Sequence, residues 1–184
     1  MANFTLSRRH FLALASSFVA VATSPLALSA AKPRFSSRKL SLFNIHTLET
    51  FEGTYWREGY YDEKALQRLM YVLRDRRNNY QHPIDPGLFD ILHRLQATLG
   101  TKEEYQIICG YRSKETNEKL HRLGSGVAKK SLHCKGKAID LRLDTIPLKD
   151  LRNAAMSLQA GGVGYYPKSN FIHVDKRPKP AFWS

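Results

Sequence analysis

Apolar and polar residues alternate over residues 39–45, with Leu40 and Leu42 on one side and Phe43 beside them, as in a strand. Over residues 46–56, Thr, Phe, Tyr and Trp surround Gly53, which predicts a hairpin there. The period changes after Asp62. Ala65, Leu66, Leu69, Met70, Val72 and Leu73 recur at three- and four-residue steps, a helix with Asp62 as its N-cap. Polar residues 74–80 end it, and Pro83 and Pro86 bound the turn. Asp85-Pro86 then opens a second helix, with proline at its first position. Leu88, Ile91, Leu92, Leu95 and Leu99 form its apolar face, and Gly100 stops it.

The remaining elements are shorter. Residues 105–109 read as a strand, 113–123 as a helix capped by Ser113, and 124–126 as a flexible Gly-Ser-Gly link. Residues 137–143 read as a strand, 147–158 as a helix, and 162–166 and 171–174 as two final strands. This order predicts an α+β fold, a small antiparallel sheet with helices packed around it.

The chain has 184 residues, enough for one compact domain, and its 42% hydrophobic and 24% charged content is ordinary globular usage. A formal charge of +13 suits a polyanionic partner. No RNP-like or helix-turn-helix pattern is present, and the basic residues are spread along the chain, so nucleic acid is not expected. An acidic cell-wall polymer fits the charge equally well. The first thirty residues differ from the rest. Ser7-Arg8-Arg9-His10-Phe11-Leu12 precedes a mildly apolar run to Ala22, and small residues follow at Ala27, Ser29, Ala30 and Ala31. That pattern resembles a twin-arginine export signal, either cleaved near Ala30 or kept as an anchor. The expected organisation is a signal over 1–30, a linker over 31–38 and one domain over 39–184. The expected setting is the periplasm, reached through transient contact with a twin-arginine translocase, and the expected state is a monomer.

The chemistry concentrates in Ser131-Leu132-His133-Cys134-Lys135-Gly136-Lys137-Ala138-Ile139-Asp140 and in Asn170-Phe171-Ile172-His173-Val174-Asp175. With His133 on a loop and Asp140 on the strand after it, Gly136 lets the chain reverse so that both reach one ion. Ala138, two residues before Asp140, leaves space on the same strand face. His173 on a neighbouring strand supplies a third donor. Two imidazoles and a carboxylate leave one zinc position open for water, the arrangement of a catalytic site rather than a structural one. The two cysteines, Cys109 and Cys134, lack CxxC spacing, which excludes a cysteine cage. They could pair in an oxidising compartment or remain free thiols.

Ser131, His133, Gly136, Ala138 and Asp140 match the SxHxxGxAxD pattern, and the chain resembles the LAS metallopeptidases. These include D-Ala-D-Ala carboxypeptidases, D-Ala-D-Ala dipeptidases and the hedgehog fold. Asp85–Asp90, Gly110–Ser113, Gly126–Ser131 and Ala160–Pro167 bring it closer to the exported murein endopeptidase K branch. The resemblance runs from about residue 38 to the end. It implies one Zn(2+) on His133, Asp140 and His173, and hydrolysis of peptide cross-links in peptidoglycan, among them those joining two meso-diaminopimelate residues. It also implies that Arg112 of Gly110-Tyr111-Arg112-Ser113 faces the metal, where a guanidinium binds a substrate carboxylate or an oxyanion. Ser131, two residues before the first ligand, is expected to bind substrate or to hydrogen-bond behind the ligands, and Thr116 and Asn117 to line the cleft.

The family's usual general base is a glutamate three residues before the last histidine, and that position here is Asn170. Asp175, two after His173 on the same strand face, is the candidate base, or else the carboxylate that orients His173. His46, His82, His93 and His121 receive no role. Two other readings stay open: a zinc D,D- or L,D-carboxypeptidase trimming stem peptides, and a non-catalytic zinc-containing wall-binding module.

Overall fold

The computed structural model describes residues 37–184, and the expected export signal over 1–30 lies outside the described residues, as does the linker except for its last two positions. Four helices and eight strands are present in the described part: β1 (Arg38–Asn44), β2 (Thr50–Arg57), β3 (Tyr60–Tyr61), α1 (Glu63–Val72), α2 (Pro86–Leu99), β4 (Tyr105–Cys109), α3 (Lys114–Arg122), β5 (Ala138–Arg142), α4 (Leu148–Ser157), β6 (Gly162–Tyr166), β7 (Phe171–Asp175) and β8 (Ala181–Trp183). The strands form one sheet in the order β3-β2-β1-β4-β5-β7-β6-β8.

The α+β class is as expected, but the sheet is larger than a small antiparallel one. It is also mixed: β1 runs parallel to β4, and β6 runs parallel to β8. Parallel neighbours need a long crossover, and β2, β3, α1 and α2 supply it between β1 and β4. β8 was missed because its three residues follow Pro178 and Pro180 and are too few to show a period. Arg38, expected in the linker, already belongs to β1, and its guanidinium donates to Asp90 at 2.6 Å.

The hairpin expected around Gly53 forms elsewhere. Gly53 sits inside β2, paired with Leu40. The chain turns between β1 and β2, where the Asn44 Oδ1 accepts from the backbone N–H of His46 and Thr47 at 3.1 and 3.3 Å. A second reversal, Glu58-Gly59, joins β2 to β3 with both residues at positive φ.

Helix ends follow the sequence. Asp62, Asp85 and Ser113 each cap a helix by accepting a backbone N–H, and Gly100 ends α2 in the left-handed conformation. Leu88, Leu92 and Leu95 of α2 are fully buried in one core with Leu69 of α1 and Leu151 of α4. The sheet contributes Leu42, Ile107, Ile139, Leu141, Ile172 and Val174 to that core. Alternation sends the residues between them to the opposite face. Asp140 lies between Ile139 and Leu141, and His173 between Ile172 and Val174, so the core packing on one face fixes the chemistry on the other. Among the described residues no helix is long and apolar enough to cross a membrane.

Candidate metal centre

Asp140 is paired directly with His173 across β5 and β7. Residues opposite each other share a sheet face, with Cβ atoms about 5 Å apart. His133 arrives from above, in a single 3₁₀ turn over Leu132–Lys135. Ser131 caps that turn, its Oγ accepting from the His133 N–H at 3.3 Å, and Gly136 ends it at φ 60. A Cβ on Gly136 would lie 2.1 Å from the Pro83 carbonyl oxygen, so glycine is required both by conformation and by space.

The three side chains converge. His133 Nε2 is 3.2 Å from Asp140 Oδ1 and 3.1 Å from His173 Nδ1, and His173 Nδ1 is 2.8 Å from the same Asp140 oxygen. The outward nitrogens are both engaged. His133 Nδ1 is 2.7 Å from the Gly110 carbonyl oxygen, and His173 Nε2 is 3.1 Å from Asp175 Oδ2. A carbonyl and a carboxylate only accept, so each outward nitrogen carries the proton and each inward nitrogen of a neutral ring presents a lone pair. Three electron-rich atoms aimed at one point repel unless a positive charge sits among them. Ligands at zinc distances on a tetrahedral ion lie about 3.3 Å apart, so the donor set fits zinc. Burial opposes charge on His133, yet the nearby Asp140 carboxylate raises its pKa well above the ordinary range, so a proton competes with a metal ion for the inward nitrogen. Burial likewise pushes the Asp140 carboxyl up, and His133 and His173 outweigh it, keeping that group well below the carboxylate range.

Asp175 is fully buried behind His173. Its Oδ1 accepts from the Gly162 N–H at 3.0 Å, and Arg177 holds the carboxylate with Nε at 2.8 Å and a terminal nitrogen at 2.5 Å. Burial raises its pKa, while Arg177 and then His173 bring it down to about 2. A Cβ on Gly162 would come within 2.7 Å of both Asp175 oxygens and of Arg177 Nε, so the bare glycine makes room for this pair.

Arg112 is buried against the first histidine. Its Nε donates to Asn117 Oδ1 at 3.1 Å and a terminal nitrogen donates to Ser131 Oγ at 3.0 Å. Asn117 in turn donates to the carbonyls of Ala128 and Lys129 at 3.1 and 3.3 Å, tying Arg112 to the loop before the metal motif. Thr116, the other expected neighbour, is buried beside the α3 cap. The cleft over the donors has a volume of about 540 Å³, and its walls include Arg112, Ser131, Tyr166, Phe171, Arg177 and Trp183.

The start of α3 is anchored by Asp75, which accepts from the Ser113 and Arg77 N–H groups at 2.9 and 3.0 Å. Burial raises the Asp75 pKa, but hydrogen bonds from the Thr116 hydroxyl and these backbone groups outweigh it and hold it below the ordinary value. A folded-state pKa below the unfolded one means the carboxylate stabilises fully above the unfolded pKa. That contribution disappears as the pH falls through the folded pKa. Asp75→Asn is expected to flatten the acid side of the Tm-against-pH curve, and an unchanged acid slope would contradict this role.

The place of Cys109 beside the donors escaped the sequence reading, which weighed it only as a disulfide partner or free thiol. Its thiol lies with His133 and Asp140, all three donor atoms within 4.8 Å of one another. The position comes from pairing of Cys109 with Asp140 across β4 and β5, a register that spacing along the chain does not reveal. Cys109 and Cys134 are both free and half-buried, so the disulfide alternative is not taken.

The family model described as "Peptidase_M15_2: Peptidoglycan L,D-endopeptidase MepK" matches residues 31–181. The chain is 44% identical over 178 residues to "Peptidoglycan L,D-endopeptidase MepK" of Escherichia coli (strain K12), covering 97% of this chain and 98% of the relative. It is 40% identical over 173 residues to "Probable peptidoglycan L,D-endopeptidase MepK" of Haemophilus influenzae, covering 94% and 93%. No solved structure matches it. A family match of this extent, with relatives this similar along almost their whole length, means that the chain belongs to the Peptidase_M15_2 family.

Proposed function

We propose that this chain is a zinc-dependent peptidoglycan endopeptidase that hydrolyses peptide cross-links, those between two meso-diaminopimelate residues among them. One observation carries the reading: two imidazole nitrogens and a carboxylate oxygen converge within 3.2 Å while the outward nitrogens are both engaged by acceptors. His133 Nε2, Asp140 Oδ1 and His173 Nδ1 are the proposed ligands. Bound there, zinc supplies Lewis-acid activation of water and of the scissile carbonyl. Arg112, braced on two sides by Asn117 and Ser131, takes a substrate carboxylate or the developing oxyanion. Ser131 serves by holding Arg112 and capping the His133 turn. Peptidoglycan lies outside the cytoplasmic membrane, so the working site is the periplasm, and Ser7–Leu12 fits export by the twin-arginine route.

Asp175 acts on His173. Its oxygens accept from Gly162, Arg177 and His173, and a carboxyl pulled down to about 2 is a poor proton acceptor near neutral pH. Removing a carboxylate that orients a ligating histidine typically weakens metal binding about 10–100-fold. Asp175→Ala is therefore expected to lose turnover in limiting zinc and to regain it in excess zinc. A variant that holds zinc fully and stays inactive would return Asp175 to the role of base.

The deciding experiment incubates zinc-loaded protein with defined muropeptide dimers and weighs the fragments. Two halves of the dimer are expected, and a chelator should stop their release. Release of a single amino acid would identify a carboxypeptidase instead. Retention on sacculi without soluble product would identify a binding module.

A further inference from the structure

Asp140, His173, Gly164 and Trp183 form one transverse row, each paired with the next across β5, β7, β6 and β8. Neighbouring strands are about 4.8 Å apart, so the Trp183 backbone stands two strands, about 10 Å, from that of His173. Its indole nevertheless lies 5.4 Å from the His173 ring, centroid to centroid. It reaches there across Gly164: a Cβ at that position would be 2.6 Å from Trp183 Nε1 and 2.7 Å from Cε2. The indole fills the space that any other residue at 164 would claim.

The ring is fixed in place. Trp183 Nε1 donates to the Tyr166 hydroxyl at 2.9 Å, and Tyr166 stacks on Phe171 at 4.7 Å. The Arg177 guanidinium sits 4.8 Å from the Trp183 ring while also holding Asp175. These aromatic rings line the metal cleft rather than the core, and both Trp183 and Tyr166 keep solvent-accessible surface. A braced aromatic ring bordering a cleft offers a large apolar face whose ordering is already complete. Arg112 and Ser131 stand at the β4 end of the row and the aromatic rings at the β8 end, where the Arg177 cation is already paired with Asp175.

We propose that Trp183 is a specificity-determining residue whose indole packs against the peptide of the substrate beside the scissile bond, and that Gly164 is bare to let it do so. The inference rests on the endopeptidase reading and deepens it. A peptide's amide planes and aliphatic side-chain carbons are the groups that stack on such a face. The carboxylates of the same chain then face Arg112.

The chain has two tryptophans, and the other, Trp56, lies on β2 under Arg38, outside the cleft lining. Trp56→Phe therefore leaves Trp183 as the sole indole. Adding a muropeptide dimer to this zinc-loaded protein is expected to shift its emission, saturating near KM. Trp183→Ala is expected to raise KM about tenfold at unchanged zinc content, with Trp183→Phe recovering most of the loss. Gly164→Ala, which displaces the indole without deleting it, should raise KM in the same direction and covers the case in which Trp183→Ala fails to fold. Wild-type cleavage with no emission response and unaltered KM in the variants would overturn the inference and leave the endopeptidase reading intact. A fall in zinc content or kcat alone would also overturn it, by making Trp183 a support for His173. No cleavage by the wild type would remove both.

Discussion

Asp140→Ala is expected to purify without stoichiometric zinc and to lose at least about a thousandfold in cleavage rate. Asp140 Oδ1 is the atom that both inward histidine nitrogens face, at 2.8 and 3.2 Å. Without that carboxylate the proposed ligand set keeps two neutral imidazoles and no negative charge against a divalent ion. The Lewis-acid contribution to the transition state is worth several kcal/mol, and 1.4 kcal/mol is tenfold in rate. Metal analysis after dialysis and the rate of dimer cleavage measure the two effects together. Circular dichroism should stay native, because Asp140 faces the cleft and its strand neighbours Ile139 and Leu141 keep the core contacts. A variant that retained zinc and full turnover would refute the ligand assignment.

Arg112→Ala is expected to keep its zinc and to lose about 10²–10³-fold in kcat, the usual effect of deleting one oxyanion donor. Arg112→Lys should restore little. The guanidinium spans Asn117 and Ser131 at 3.1 and 3.0 Å through two different nitrogens, and a single ammonium cannot reproduce that fork. Zinc content measured beside kcat separates this loss from a collapse of the metal site. An Arg112→Ala enzyme with wild-type kcat would show the guanidinium to be a brace for the loop alone.

Local signals in the chain were sufficient for the helices. Asp85, Pro86 and Gly100 bound α2 as their chemistry requires, and Asp62 and Ser113 cap as expected. The convergence of His133, Asp140 and His173 was also legible, since two short motifs hold all three residues. What stayed hidden depends on register and on which strands become neighbours. Cys109 meets Asp140 only because β4 pairs with β5, and Trp183 reaches His173 only because β8 joins β6 in parallel. The misplaced hairpin has a different cause. Gly53 drew attention as a turn residue, but the ladder runs through it, while Asn44 carried the real turn signal in a side-chain acceptor two residues before His46. Asp175 was placed on the right face, yet its partners Arg177 and Gly162, on which the role proposed for it rests, were not weighed.

β7 lies between β5 and β6, so the donor at 173 is held by ladders on both sides and comes from a strand that follows the long connection through α4. A polypeptide halted or clipped ahead of Phe171 owns just two of the three grips, the last of them thirty-three residues beyond Asp140. Should those three side chains hold zinc as proposed, its uptake would report that β7 has joined the sheet.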